Sequence, residues 1–522
     1  MKKTALFSVY DKTGIVEFAQ KISNMEYDII SSGGTAKALR DAGIQCRDVS
    51  EYTGAPEILG GRVKTLQYPI YGGILASRDN DNHMQELAAQ NIQTIDIVVC
   101  NLYPFEKVSG EIPKPGNKKI DAKIIENIDI GGPTMLRAAA KNHKDVLVIT
   151  DPADYDAVLA GLESGGISDE FRLALAAKVY SHTAYYDSLI SNYLNYEKFP
   201  SIKTIPMKKI EDAELRYGEN PHQQAALYAN AIDVNPTAAM NAAQLQGKKL
   251  SYNNYLDLDA AWKFMSEFTQ TYPMCTIMKH NNTCGAAADR TLVNAFRKSY
   301  ACDPLSAFGG IVAFNQPVDV KTAREMIEEY ELFVECIIAP GYTKKAMDIF
   351  SSKKNIRIME QPYPPIVPID VAYKTIEGGI LVQDKNTQLY KEFETVTERN
   401  TTLAEDGALD FAWRACKMTK SNAIILARGW QIVGVGTGQQ SRIDSLEIAI
   451  YRMNKMACNT TQPLVMASDA FFPFPDCIER FAKIGGRAVI WPGGSTNDQA
   501  SIDAANAAKI AMVKTSMRHF AH

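Results

Sequence analysis

Residues 27–35 read Tyr-Asp-Ile-Ile-Ser-Ser-Gly-Gly-Thr, and the helical pattern that follows, Thr35–Asp41, stops at Gly43. A short apolar strand thus runs straight into a glycine pair and a helix start. Two glycines let the backbone turn sharply and approach a ligand, and the first turn of a helix offers free N–H groups with partial positive charge. Ser32 and Thr35 add hydroxyls. A plain βα turn explains this stretch equally well by itself. Working outward, Thr4–Tyr10 reads as a strand, and Ile15–Ser23 as a helix with Ile15, Phe18, Ala19 and Ile22 on one face. Asp96–Tyr103 and Asp145–Thr150 read as further strands, and Asp169–Leu194 as a long helix. Alternation of this kind predicts an α/β fold with a parallel sheet covered on both faces.

Ligands of such sheets bind beyond the carboxyl ends of the strands, and several polar segments fall there. Tyr10-Asp11-Lys12-Thr13-Gly14 ends the first strand, and Cys100-Asn101-Leu102-Tyr103-Pro104 ends another. Gly60-Gly61-Arg62-Val63-Lys64-Thr65 sets two cations beside a glycine pair. Each has a solvated-loop alternative, but together they predict an anion or nucleotide site. Ile128-Asp129-Ile130-Gly131-Gly132-Pro133 opens a helix with proline in its first turn, on which Arg137 and Lys141 share a face. Lys141 either snorkels from this alanine-rich stretch or serves as a partly desolvated proton donor; residue pattern alone leaves both open.

Residues 197–215 carry two prolines, repeated lysines and no helical period, and are predicted to be a linker. Beyond it, Cys275–Lys279, Gly310–Phe314 and Ala488–Trp491 read as strands. Leu292–Ser299 and Val320–Glu331 read as helices, and Ile424–Ala427 with Gln431–Gly434 as a hairpin. The first of these strands ends in Lys279-His280, an ammonium beside an imidazole. Such a pair suits a general base with an oxyanion stabiliser, although a lone histidine is more often structural. Leu215–His222 is a dense polar turn. Val435-Gly436-Thr437-Gly438-Gln439-Gln440-Ser441-Arg442 is glycine-rich but fails the G-x-G-x-x-G fingerprint at its last position, and it follows a hairpin rather than a βαβ strand, which argues against a dinucleotide site.

The whole chain has 522 residues, enough for three to four domains, with 46% hydrophobic and 22% charged residues. A net charge of −4 gives no footprint for nucleic-acid or membrane binding. Nine cysteines without a C-x-x-C pair read as reduced thiols. The apolar stretch after Lys2-Lys3 is too short for a secretory signal, and no apolar run is long enough to span a bilayer. The expectation is a soluble, cytoplasmic protein without a metal site.

The ordered strings also resemble a known family along essentially the full length. They are Phe-Ser-Val-Tyr-Asp-Lys-Thr-Gly (7–14), Ser-Gly-Gly-Thr-Ala-Lys-Ala-Leu (32–39), Gly-Gly-Arg-Val-Lys-Thr-Leu (60–66), Cys-Asn-Leu-Tyr-Pro-Phe (100–105), Ile-Asp-Ile-Gly-Gly (128–132) and Leu-Arg-Ala-Ala-Ala-Lys-Asn-His (136–143). Arg-Tyr-Gly-Glu-Asn-Pro-His-Gln (216–223), Lys-His (279–280), Gly-Gln-Gln-Ser-Arg (438–442) and Ser-Asp-Ala-Phe-Phe-Pro-Phe (468–474) follow. The chain resembles the bifunctional family that joins AICAR transformylase to IMP cyclohydrolase in purine biosynthesis. That resemblance implies a cyclohydrolase domain similar to methylglyoxal synthase over 1–196, a linker over 197–215, and a transformylase region of two cytidine-deaminase-like lobes over 216–522. The deaminase zinc motifs H-x-E and P-C-x-x-C are absent from the sequence.

By the same resemblance, 10-formyltetrahydrofolate gives its formyl group to the amine of AICAR, and the product FAICAR closes to IMP with loss of water. Neither step is expected to need a metal. The cyclohydrolase site would use Lys12, Ser32, Gly33, Gly34, Thr35, Arg62, Lys64, Thr65, Asn101 and Asp129 to hold the nucleotide. Lys141 would be proton donor and acceptor, with Tyr103 and Asp129 orienting or polarising the formamide. Tyr10 stands where relatives often carry serine. For the transformylase, Lys279 would stabilise negative charge and His280 take the amine proton. Arg216, Tyr217, Gly309, Glu335, Asn422, Arg442, Phe471 and Arg518 would hold AICAR, with Glu335 where some relatives carry Asp. Ile443, Asp476, Gly493 and Gly494 would line the folate site. A homodimer is implied, with transformylase sites built from both subunits. The alternatives are an N-terminal domain that only senses a phosphorylated metabolite, and an unrelated nucleotide-dependent oxidoreductase.

Overall fold

The computed structural model describes residues 2–111, 121–195, 201–230, 236–268, 272–363, 371–456 and 461–522. Two compact units emerge: one runs to Lys208, and the other starts at Lys209, apart from a few residues that group with the first.

In the first unit, β1 (Thr4–Val9), β2 (Asp28–Ser31), β3 (Arg47–Asp48), β4 (Ile97–Asn101) and β5 (Leu147–Ile149) form one sheet in the order β3-β2-β1-β4-β5. All its pairings are parallel, as the strand–helix alternation predicts. Alternate residues feed two cores. Ala5, Phe7, Val9, Ile97 and Val99 pack on one face with Phe18 and Ile22. Leu6, Val98 and Cys100 pack on the other with Met135, Leu136 and Val179. Both faces are therefore covered by helices, among them Ile15–Asn24 and the long helix Asp169–Leu194, whose Ser168 hydroxyl accepts from Phe171 N–H at 3.2 Å. The strand order reverses between β1 and β4, which opens a crevice at their carboxyl ends.

The predicted linker needs correction. Its second half is a strand, β6 (Met207–Glu214), which forms a two-stranded ribbon with β7 (Ala226–Asn230). The sequence Met-Lys-Lys-Ile-Glu-Asp-Ala-Glu lacks the apolar alternation of a half-buried strand, because this ribbon is held by backbone hydrogen bonds rather than a core. Residues 197–200 of the linker lie outside the described residues.

The second unit contains β8 (Ala243–Gln246), β9 (Met274–Lys279), β10 (Asn282–Ala288), β11 (Ile311–Phe314), β12 (Cys336–Ala339) and β13 (Arg357–Glu360), ordered β10-β9-β11-β12-β13-β8. A hairpin of β14 (Val371–Ile376) and β15 (Gly379–Asp384) follows. The last sheet has β16 (Glu394–Thr395), β17 (Ile424–Arg428), β18 (Ile432–Gly436), β19 (Leu464–Ser468), β20 (Gly486–Trp491) and β21 (Ala511–Lys514), ordered β16-β21-β20-β19-β17-β18. Helices Tyr252–Ser266 and Leu403–Lys417 contribute Trp262, Phe264, Phe411 and Trp413 to one core shared by both six-stranded sheets. The predicted helix Val320–Glu331 is α-helical only to Arg324. It then widens into a π-turn, Glu325–Glu329, where Tyr330 N–H reaches Glu325 C=O. Among the described residues no helix is long and apolar enough to cross a membrane.

The glycine-rich stretch after the hairpin has a packing role. A Cβ on Gly434 would lie 2.2 Å from Ala449 O, and one on Gly436 would lie 1.8 Å from Ser445 O. These glycines let β18 touch the backbone of helix Arg442–Lys455.

Candidate active sites

At the crevice between β1 and β4, Asn101 ties the two strands together. Its side-chain oxygen accepts from Tyr10 N–H (2.7 Å) and Asp11 N–H (2.9 Å), while its amide donates to Asp11 C=O (2.9 Å). Both oxygen lone pairs and one of two donors are thus engaged in shaping the loop. Thr35 is likewise buried and reciprocally bonded to Val9, accepting from its N–H (3.1 Å) and donating to its C=O (2.9 Å). Asn101 and Thr35 build the site more than they line it.

What remains facing the crevice is cationic. A Cβ on Gly33 would sit 3.4 Å from Lys64 Nζ, and one on Gly34 would sit 3.6 Å from Lys12 Nζ. Two ammoniums from separate loops therefore converge on the glycine turn at the start of helix Gly33–Asp41. Gly33 has φ 54°, which the absent side chain permits. Ser32 is the N-cap residue, and its hydroxyl makes no capping bond. Lys12 Nζ donates to Tyr10 C=O at 3.1 Å. Lys64 pairs with Glu57 at 3.1 Å, and Arg62 pairs with Glu126. Sequence reasoning did not single out either acid; Glu57, three residues before the glycine pair, was the only local signal.

Asp129 lies beside this cradle. Its carboxylate accepts from Gly132 N–H (2.8 Å) and from Tyr103 N–H, and its own N–H donates to Tyr186 OH (2.8 Å). Burial pushes the carboxyl above the usual aspartate range, against those two hydrogen bonds. A Cβ on Gly131 would lie 2.9 Å from Thr65 Oγ1, which brings Thr65 to the same helix start. Tyr103 is half exposed. Lys141 stands at the far end of the helix that starts here, Gly131–Lys141, and is exposed. Ten residues at 1.5 Å each put its Cα about 15 Å along the axis from Gly131, although helical side chains lean back toward the N-terminus. Its helix neighbour Arg137 stacks over Tyr180, 5.3 Å from the ring centre.

In the second unit, register gathers the predicted residues at two sheet edges. β9 runs antiparallel to β11, with Met278 opposite Ile311, and β11 runs parallel to β12. Lys279, His280, Gly309 and Glu335 consequently share one edge. His280 and Asn281 form a two-residue turn between the paired Lys279 and Asn282, with φ 53° and 58°. This is type I′ hairpin geometry, strained for a histidine and held by its surroundings. Asn281 N–H donates to Asp257 (2.7 Å), and Thr437 Oγ1 donates to Asn282 Oδ1 (2.8 Å). Lys279 Nζ donates to Phe308 C=O at 2.7 Å, while His280 is exposed. Glu335 is bonded by buried Arg357 at 2.6 Å, so one carboxylate oxygen is already engaged.

At the other edge, Ile424 of β17 lies opposite both Gly436 and Ser468. This aligns Asn422, Arg442, Ile443, Phe471, Asp476, Gly493-Gly494 and Arg518 beyond one end of the sheet. Arg442 is buried against Asp469, which is fully enclosed. Its other nitrogen donates to Asn422 Oδ1 at 2.7 Å, while the Asn422 amide donates to Gln439 C=O (2.9 Å) and Gln440 C=O (3.0 Å). Arg442 and Asn422 thus form a satisfied scaffold. Phe471 and Arg518 remain accessible, Arg518 lying 4.3 Å from the Phe520 ring centre. Gly494 N–H donates to Asp498 (2.7 Å), and Asp476 accepts from Cys477 N–H (2.8 Å). The two edges are joined through Thr437, whose single hydroxyl proton is shared between Asn282 Oδ1 and Lys420 C=O (3.1 Å), and Ser421 N–H donates to Ala521 C=O (2.9 Å). Arg216 and Tyr217 form a cation–π pair in the polar turn, 5.6 Å apart. Asp257, Thr437 and Asp469 escaped sequence reasoning; Thr437 and Asp469 fell within quoted strings but were given no role.

Comparison with known proteins assigns the family. The profile described as AICARFT/IMPCHase bienzyme matches residues 139–452, and the MGS-like domain profile matches 14–134. A bifunctional purine biosynthesis protein PurH from Persephonella marina is 47% identical over 529 residues, covering all of both chains. The chain belongs to this bifunctional purine biosynthesis family. Proteins of the same name from Oceanobacillus iheyensis and Caldicellulosiruptor saccharolyticus are 46% and 47% identical, again across the full length of both chains. A solved structure described as the crystal structure of ForH is 37% identical over 37% of this chain and 97% of its own, with TM-score 0.34. Membership makes the chain a bienzyme, an AICAR formyltransferase and IMP cyclohydrolase, and leaves the sensor and oxidoreductase alternatives without support. The methylglyoxal-synthase-like family profile and the five-stranded parallel sheet of the first unit agree.

Proposed function

We propose that ring closure runs at the β1/β4 crevice and formyl transfer at the two sheet edges of the second unit. The observation that carries the first assignment is the convergence of Lys12 and Lys64 on the Gly33-Gly34 turn. Two ammoniums over a helix N-terminus suit a phosphate monoester, which would displace Glu57 from Lys64. With its phosphate there, FAICAR extends its base toward Tyr103 and Asp129. The carboxamide nitrogen attacks the formyl carbon, a C–N bond forms, and the hydroxyl of the resulting adduct leaves as water. Asp129, raised by burial, is suited to hold a proton during this exchange. The family resemblance alone supports Lys141 as proton donor and acceptor.

For formyl transfer, the 5-amino nitrogen of AICAR attacks the formyl carbon of 10-formyltetrahydrofolate. His280 takes the amine proton, Lys279 stabilises the oxyanion, and tetrahydrofolate leaves after protonation at N10. The exposed type I′ turn supports this reading, because it projects both groups from a braced hairpin. Arg216, Tyr217, Phe471 and Arg518 contact AICAR, with Gly309, Glu335, Asn422 and Arg442 shaping its pocket. Ile443, Asp476, Gly493 and Gly494 line the folate site. The chain works as a cytoplasmic homodimer, a reading that its free cysteines suit.

The deciding experiment follows tetrahydrofolate and IMP together by absorbance. His280→Ala should lower formyl transfer by roughly two to four orders of magnitude and leave closure of supplied FAICAR intact. Unchanged transfer would remove His280 as the base. Lys141→Ala should abolish ring closure and spare transfer; retained closure would remove Lys141 and leave Tyr103 and Asp129 as the reacting set.

A further inference from the structure

Tyr10 occupies a conspicuous place in the ring-closure crevice. It is the first residue beyond β1, and its backbone is held on both sides. Its N–H donates to Asn101 Oδ1 at 2.7 Å, and its carbonyl accepts from Lys12 Nζ at 3.1 Å. The ring lies edge-on to Tyr103, with centroids 5.8 Å apart and planes at 70°. Both rings remain about half exposed, 52% for Tyr10 and 46% for Tyr103. Tyr103 is anchored at its backbone, through its N–H to Asp129. Its ring, by contrast, is half exposed and meets the edge of the Tyr10 ring.

We infer that Tyr10 is a positioning residue for ring closure, fixing through its aromatic edge the angle at which Tyr103 presents its hydroxyl to the base of the bound nucleotide. This rests on the proposed role of Tyr103 in that reaction. Edge-to-face aromatic pairs are directional, and small losses of alignment at a reacting group reduce rate more than affinity. Tyr10 also steadies Lys12 through its carbonyl, a contact that survives any side-chain change. Phosphate binding and ring orientation are therefore separable at this residue.

The test uses the full chain with supplied FAICAR, and formyl transfer at the other site serves as an internal control for folding. Tyr10→Ala should lower kcat for ring closure by roughly tenfold or more, with KM nearly unchanged and formyl transfer at its wild-type rate. Tyr10→Phe keeps the ring edge and should restore kcat. In a Tyr103→Phe background, Tyr10→Ala should add no further loss, because the two act as one unit. A rise in KM without a fall in kcat, failure of Tyr10→Phe to restore the rate, or a fully additive loss in the Tyr103→Phe background would overturn the inference. If Tyr103→Phe alone leaves ring closure unimpaired, the proposed role of Tyr103 falls, and the inference falls with it. If Tyr103→Phe impairs closure but Tyr10→Ala does not, the inference alone falls.

Discussion

Two glycine-rich stretches of this chain look alike as strings and differ in what surrounds them. At Gly33-Gly34 the nearest atoms to an added Cβ are the ammonium ends of Lys64 and Lys12, at 3.4 and 3.6 Å. At Gly434 and Gly436 they are the backbone carbonyls of Ala449 and Ser445, at 2.2 and 1.8 Å. The first pair leaves room that flexible cations border; the second closes a strand against a helix. The same contrast extends to the charged groups. Lys12 and Lys64 have partners that a ligand can displace, whereas Arg442 and Asn422 are engaged with protein on every side described above. The first region sets cations on exchangeable partners around a glycine turn, and the second is a set of groups already bonded to protein.

The largest effect expected is at Gly436. An alanine there cannot be accommodated without parting β18 from helix Arg442–Lys455, so Gly436→Ala should prevent stable folding of the second unit, read by loss of cooperative unfolding. A stable, active Gly436→Ala protein would break the comparison. Next comes Asp469→Ala. Removing this carboxylate leaves the buried Arg442 guanidinium unpaired, at about 3–5 kcal/mol, measurable by denaturant unfolding.

A pH effect of similar kind belongs to His519. Its ring is fully buried, bonded at Nδ1 to the Asn386 amide (2.8 Å) and at Nε2 to Leu389 C=O (2.7 Å), which makes Nε2 the protonated nitrogen. Burial pushes its pKa down to about 4 from 6.5. The neutral form is preferred when folded, so this stabilisation is present above about 6.5 and lost as pH falls toward about 4. At most about 3 kcal/mol is at stake. Unfolding midpoints across pH 4–7 should flatten in His519→Gln; an unchanged slope would contradict the assignment.

These differences explain what was legible in the sequence. Four strands of the parallel sheet and the glycine turn were readable, the turn because strand, glycine pair and helix start lie within nine consecutive residues, 27–35, whereas the two-residue β3 carries no period to read. The charged ribbon strand Met207–Glu214 was not readable, because backbone pairing leaves no side-chain period. The scaffold of the second unit was hidden for another reason. Thr437 bonds Asn282 across 155 positions and Lys420 bonds the His522 carbonyl across 102, and no local pattern encodes such partners. Lys141 illustrates the converse: a matching string identifies the residue, but helix length decides where its side chain can act.

The smallest effect is the most discriminating. Gly34, unlike Gly33, does not require a positive φ, and its Cβ would make ordinary contact with Lys12. Gly34 lies in the first turn of helix Gly33–Asp41, where alanine is tolerated or slightly favoured, so Gly34→Ala should move stability by no more than about 1 kcal/mol. The added methyl nevertheless projects toward the place where the phosphate would meet Lys12. KM for FAICAR should therefore rise several-fold, with kcat little changed and formyl transfer untouched. Glycine as ligand space and glycine as packing space then separate cleanly, because the same substitution weakens binding without unfolding at one site and unfolds the protein at the other. An unchanged KM in Gly34→Ala would show that the cradle admits the phosphate elsewhere and would return Gly33-Gly34 to the status of a plain βα turn.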